Sequence, residues 1–157
     1  MKIVPTRRTD YAIRALVYLA RDEGEMVTAS TLAEEMTIPK GFLHQILPIL
    51  QRSGLVASRP GRTGGYVLAR PADEVTLLDI VEATEGPLEA AECALKGGPC
   101  HWEEVCALHW VWGASKDAFA AELKKATLAR IVADDRALAE GTAVIPLNSH
   151  RGSSRTP

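Results

Sequence analysis

The sequence predicts a mostly α chain with a small β-hairpin wing: a winged helix-turn-helix followed by one long helix. Three observations carry that reading. Two short helical patterns flank the break "TIPKG", which is the layout a helix-turn-helix needs. The hydrophobic period then changes, and two strand-like runs follow, joined by "PGRTGG". Further on, two neighbouring apolar rows run at helical spacing from about Val105 to Lys125. With 157 residues, 46% of them hydrophobic, the chain fits one domain, or one small domain with an appended element. Its mean hydropathy of -0.02 suits a globular chain that buries a core.

The first segment, "TDYAIRALVYLAR", carries Ala12, Leu16, Leu19 and Ala20 with Ile13 and Val17 beside them, so it predicts an amphipathic helix with a broad buried face. Asp10 and Arg14 lie four apart, the spacing of a surface ion pair near a helix start. In "TASTLAEEM", Thr28 can cap a short helix that turns Leu32, Ala33 and Met36 inward. Pro39 disfavours helix at Ile38 and can open a new one. That next helix holds Leu43, Ile46, Leu47 and Leu50 at i, i+3, i+4 and i+7, and Gly54 stops it. Its outward face offers Lys40, Gly41, His44, Gln45 and Arg52. Pro48 within it removes the bond its N–H would give to the His44 carbonyl, which predicts a kink or a shortened helix.

"LVASR" and "YVLAR" read as the strands of a hairpin whose tip bears Arg59, Arg62, Thr63 and Gly64. Glycines there let the backbone and its two arginines come close to a phosphate chain. In "TLLDIVEATEG", Thr76 and Asp79 form a capping box and Gly86 ends the helix. On the long helix, Ala107, Val111, Ala114, Ala118 and Ala121 make one row, with Leu108, Trp112, Ser115 and Phe119 in the next. Two such rows exceed what a wing domain needs, which predicts a dimerisation helix shared between subunits. "TLARIVAD" makes a last helix capped by Thr127. The expected organisation is a winged-helix domain at 1–86, a cysteine loop at 87–104, the dimerisation and C-terminal helices at 105–140, and a disordered tail at 141–157.

The net charge of -2 conceals an asymmetry: ten Lys/Arg against six Asp/Glu in residues 1–70, and eight against fourteen in residues 71–157. A half at +4 beside a half at -6 hints at a polyanion partner for the first. The start, "MKIVPTRRTD", is too polar for a signal peptide, and the apolar run Ala15 to Ala20 is too short to span a bilayer. The expected location is the cytoplasm, with no membrane partner. No paired-carboxylate constellation, phosphate loop or nucleophile motif argues for an enzyme or a small-molecule substrate.

All three cysteines fall within the fourteen residues from Cys93 to Cys106, and His109 follows the last by three. In a reducing compartment such a cluster holds metal more often than it forms disulfides. Cys106 and His109 would share a face on the first turn of the long helix. Three cysteines and a histidine suit structural zinc by ligand type, but zinc sites of this kind contain a tight pair such as C-x-x-C, and none exists here. Wider spacing suits an iron–sulfur cluster, in which histidine can replace cysteine. Spacing alone leaves iron–sulfur, zinc and bare thiols open.

From about Met1 to Asp134 the chain resembles the Rrf family of bacterial winged-helix regulators. The resemblance rests on "TDYAIRALVYLA", on "GLVASRPGRTGGYVLARPADEVTLLDIVEATEG" and on the three-cysteine loop before the long helix. It implies a homodimer that binds pseudo-palindromic, double-stranded promoter DNA and senses redox state, iron, nitric oxide or cluster status through a bound iron–sulfur cluster. Cys93, Cys100 and Cys106 match the cluster cysteines. His109 matches the histidine that completes a two-iron site in some members, and Asp10 the aspartate that reaches a four-iron site from the other subunit in others. His109 is favoured, and with it a 2Fe-2S rather than a 4Fe-4S cluster, because its C-x-x-H placement needs no second chain. The alternatives are a winged-helix regulator using zinc or bare thiols, or a non-regulatory electron carrier, which would have no need of a basic hairpin. The first cysteine gap, six residues, is one longer than the family's usual five. His44 stands where many members have an acidic residue, so their operator preference cannot be borrowed.

Overall fold

The computed structural model describes residues 5–61, 63–88 and 106–142. In chain order they form α1 (Arg7–Leu19), α2 (Ala29–Glu35), α3 (Lys40–Arg52), β1 (Val56–Arg59), β2 (Gly65–Leu68), α4 (Leu77–Glu85), α5 (His109–Lys125) and α6 (Leu128–Ala139). The predicted fold class holds: helices surround one core and a two-stranded hairpin extends from it. Among the described residues no helix is long and apolar enough to cross a membrane.

The core forms where the helical stripes converge. Ala12, Ala15, Leu16 and Leu19 of α1 meet Leu43, Ile46, Leu47 and Leu50 of α3, with Leu32 of α2, Ile80 of α4 and Leu128 of α6 closing around them. Burying each leucine-sized side chain contributes about 1.5–3 kcal/mol, so these stripes fix how α3 is held. The turn into α3 is made by Thr37 rather than by Pro39 alone. Thr37 takes a left-handed φ of 52°, and Ile38 N–H then reaches the Ala33 carbonyl at 2.9 Å. Pro48 does not shorten α3, which runs on to Arg52. The carbonyl its ring leaves without a donor belongs to His44, and both residues lie on the exposed side, where water can serve it.

β1 and β2 pair antiparallel in the register Val56↔Leu68 to Arg59↔Gly65. Val27, before α2, bonds the free edge of β2 at Tyr66 through N–H···O contacts of 2.9 and 2.8 Å. Gly65 makes that approach feasible, since a Cβ there would sit 2.6 Å from the Val27 carbonyl oxygen. The α4 capping box forms as expected: Thr76 Oγ1 accepts from Asp79 N–H at 3.2 Å, and Asp79 Oδ2 accepts from Thr76 N–H at 2.8 Å.

Thr76 also pairs with Thr127 in a short antiparallel bridge, Leu77 N–H to Ala126 carbonyl at 2.8 Å and Leu128 N–H to Val75 carbonyl at 2.7 Å. The start of α4 and the start of α6 are thus stitched together, and α6 lies against α1. An Arg21–Asp135 ion pair of 3.1 Å sits between the end of α1 and α6.

The long helix begins at His109, later than the apolar rows suggest, and Val105 lies outside the described residues. Leu108 precedes it without a capping side chain. None of its residues is buried, and Ala107, Val111, Ala114, Ala118 and Ala121 are all exposed. Its half-buried side is Gly113, Lys116, Ala120 and Leu123, along which it lies beside α4. Most of the anticipated tail, residues 143–157, lies outside the described residues.

Candidate DNA interface and cysteine–histidine site

α3 is the second helix of a helix-turn-helix, and its packing decides what it can present. With Leu43, Ile46, Leu47 and Leu50 turned inward, Lys40, Gly41, His44, Gln45, Pro48 and Arg52 are turned out. A hollow of about 230 Å³ lies between the start of α2 and this face, lined by Ala29, Ser30, Lys40, Leu43 and His44. At the far end of α3, Gln51 Nε2 donates to Ser58 Oγ of β1 at 2.6 Å, so the reading helix and the wing are tied side chain to side chain. That tie was not legible in the sequence, where Gln51 and Ser58 are two unremarked polar residues.

In the wing, Arg59, Gly61 and Thr63 are exposed and Gly64 is half-buried; Arg62 lies outside the described residues. The tip is tight: Gly61 has a φ of 117°, and a Cβ on Gly64 would collide with the Arg59 carbonyl oxygen. Among the described residues, Lys40, Arg52 and Arg59 take part in none of the ion pairs, which leaves their charges available to phosphate.

Of the predicted ligand set, Cys106, His109 and Asp10 lie among the described residues, and these form no group of three that could hold a metal ion. His109 N–H donates to the Cys106 carbonyl at 3.1 Å, so the two side chains stand one turn apart, though that turn precedes α5 instead of lying within it. Cys106 is a half-buried free thiol and His109 is exposed, its ring edge-on to Trp110 with centroids 6.4 Å apart. Cys93 and Cys100 lie outside the described residues. Asp10 is on α1, where its carboxylate is held by Arg14 at 2.8 Å, and Arg14 lies over the Tyr11 ring. Tyr11 in turn meets Phe42 of α3 edge-on, with centroids 5.2 Å apart. Soft thiolates and an imidazole fit zinc or iron–sulfur ligation alike.

A polar knot at the exit of α4 escaped the sequence reading. Glu85 Oε1 accepts from the Thr6 N–H at 3.2 Å and from the hydroxyls of Thr6 and Thr9. Thr9 and Thr84 hydroxyls meet at 2.8 Å in the buried layer beneath, and Arg8 donates to the Thr84 carbonyl at 3.2 Å. Partial burial acts to raise the Glu85 carboxyl, but the threonine donors and the Arg8 charge outweigh it and hold the group below its ordinary value. The only available signal was a threonine on the apolar face of each helix.

Residues 5–134 match the family model described as Rrf2, iron-dependent transcriptional regulator. The chain belongs to the Rrf2 family. As a member it is a DNA-binding transcriptional regulator, not an enzyme. Its relatives include the protein aau3 of Rhizobium meliloti strain 1021, 35% identical over 128 residues, covering 81% of this chain and 83% of that one. A Mycobacterium tuberculosis protein named as an HTH-type transcriptional regulator, MT1325, is 36% identical over 125 residues, or 79% and 78% of the two chains. Among solved structures, CymR (YrzC), the global cysteine regulator of B. subtilis, superposes with a TM-score of 0.68 at 26% identity over 84% of this chain and 98% of that one. T. potens IscR gives 0.68 at 24% identity, with coverage of 96% and 97%, a likeness of fold.

Proposed function

We propose that this Rrf2 protein is a homodimeric regulator whose affinity for promoter DNA is set by an iron–sulfur cluster held by Cys93, Cys100, Cys106 and His109. The observation that carries the reading is the placement of Cys106 and His109 one turn apart at the head of α5, a helix with a wholly uncovered outer face. The cysteine stretch leaves from the end of α4 and enters α5, so anything that orders it acts between the DNA-binding body and the helix proposed to join two subunits. When bound, the cluster supplies chemistry responsive to redox state, iron or nitric oxide. Lys40, Gly41, His44, Gln45 and Arg52 meet the major groove in this reading, and Arg59, Arg62, Thr63 and Gly64 meet backbone or minor groove. His109 is preferred to Asp10 as fourth ligand because Asp10 would first have to give up Arg14.

A second reading, regulation by bare thiols, is favoured by one relationship: S. aureus CymR, 28% identical over 84% of this chain, has been solved in an oxidized form. An absorbance spectrum of protein purified without oxygen, with iron and sulfide counts, separates the two. A brown protein whose iron is lost in Cys93→Ala, Cys100→Ala and Cys106→Ala supports the cluster. Loss with His109→Ala but not Asp10→Ala supports the two-iron site within one chain, and the reverse moves the fourth ligand to the partner. A colourless protein with zinc, or with no metal at all, overturns the cluster.

A further inference from the structure

The outer face of α3 presents Lys40, Gly41, His44, Gln45, Pro48 and Arg52, and the order of Gly41, His44 and Pro48 along the helix is informative. Gly41 offers bare backbone, with nothing within 4 Å of where a side chain would begin. His44 follows about one turn later and Pro48 one turn after that, all three exposed. Beyond Pro48, Gln51 is engaged by Ser58 at 2.6 Å, while Arg52 is exposed. On the α2 side His44 borders the hollow it shares with Lys40, which supplies a cation for a neighbouring phosphate. Ser30, also there, donates its hydroxyl to the Glu34 carboxylate at 3.0 Å. The bare backbone at Gly41 lets the first turn of α3 come nearer the groove floor than any side chain would permit.

Resting on the regulator reading above, we infer that this face reads a guanine through His44 and a nearby thymine through Pro48. An imidazole N–H is a donor in either protonation state. Guanine is the base that presents two adjacent acceptors, O6 and N7, at its major-groove edge with no donor between them. Adenine sets an amino group beside its N7, thymine sets a methyl group beside its single acceptor O4, and cytosine shows a donor alone. Pro48 has a ring without N–H, an apolar match for the C5-methyl of thymine. One helical turn rises ~5.4 Å and base pairs step by ~3.4 Å, so the two contacts fall one or two base pairs apart.

Affinity selection from random duplexes with the full-length protein tests this, alongside His44→Ala and Pro48→Ala, both exposed positions that leave the core intact. The wild-type protein should select half-sites with a guanine and a T·A pair one or two steps away. Replacing that guanine with 7-deazaguanine should weaken wild type roughly fivefold and leave His44→Ala unaffected. Replacing the thymine with uracil should weaken wild type about threefold and leave Pro48→Ala unaffected. Lys40→Ala, by contrast, should weaken all duplexes alike. A half-site without such a guanine, or one that His44→Ala still selects with equal strength, overturns the assignment and leaves the regulator reading standing. No selected motif from wild-type protein, prepared with or without oxygen, overturns both.

Discussion

Glu85 ties the last turn of α4 to the first turn of α1 through a carboxylate that three donors favour in its charged form. Its folded-state value lies below the ordinary 4.5 of an unfolded chain. The contribution to stability is therefore complete above that ordinary value and is lost as pH falls through the lower, folded one. Because the side chain is exposed, solvent screens it, and the effect is modest. Urea denaturation at a series of pH values should show wild type and Glu85→Gln converging as the medium becomes acid. Parallel curves at every pH would mean the knot draws nothing from the charge. Thr37 makes the opposite case, a residue held at some cost. A β-branched side chain at a φ of 52° costs about 1–2 kcal/mol. Thr37→Gly removes that strain but adds freedom to the unfolded chain, for a net gain of about 0.5–1 kcal/mol. A thermal midpoint equal to or below that of wild type would show that the turn is unstrained.

Among the elements, the wing depends on a contact outside its own strands. A methyl on Gly65 would meet the Val27 carbonyl oxygen at 2.6 Å, closer than backbone can yield without moving β2 off that edge. Gly65→Ala should leave the helical circular dichroism intact while operator affinity drops, because the hairpin no longer sits at a fixed angle to α3. Unchanged affinity would show that the wing is positioned by Gln51 and Ser58 alone. This contact could not be seen in the sequence, since one paired residue has no period. α1 and α3 were legible because four apolar residues at helical spacing define a face unambiguously. The α4 capping box was legible because it is a local rule between residues three apart. The inward side of α5 was not, since Gly113 and Lys116 carry no hydrophobic signal, and a start without a capping side chain left its first residue unmarked. For the candidate site, the sequence supplied residue types and spacing. A fourth ligand is a contact in space: spacing along the chain favours His109, but it cannot test an Asp10 that belongs to another.

At the scale of the whole molecule, α5 is covered by α4 on one side, and among the described residues nothing covers its outer face. Trp110 and Val111 are 78% and 64% exposed, and the alanine row beside them is exposed as well. A second copy packed there would bury that face, and a two-fold dimer would suit half-sites about one turn of DNA, ~34 Å, apart. Ala114→Glu should place an unpaired charge in that contact. Analytical ultracentrifugation should then find monomers that bind operator poorly. Dimers of wild-type stability would assign the contact to a different surface.

The stitch between Thr76 and Thr127 bears on how such a protein can change over evolutionary time. Together with the Glu85 knot it anchors the chain on either side of the cysteine stretch, on residues that lie outside that stretch. Residues added or removed between those anchors need not disturb the α1–α3 core, since the closure cost of a connection grows only slowly with its length, about 0.6 kcal/mol per doubling. The number of residues between Cys93 and Cys100 is therefore free to drift as far as the DNA-binding body is concerned. Under the proposed function, the limit on that length would come from the group the thiols are proposed to hold.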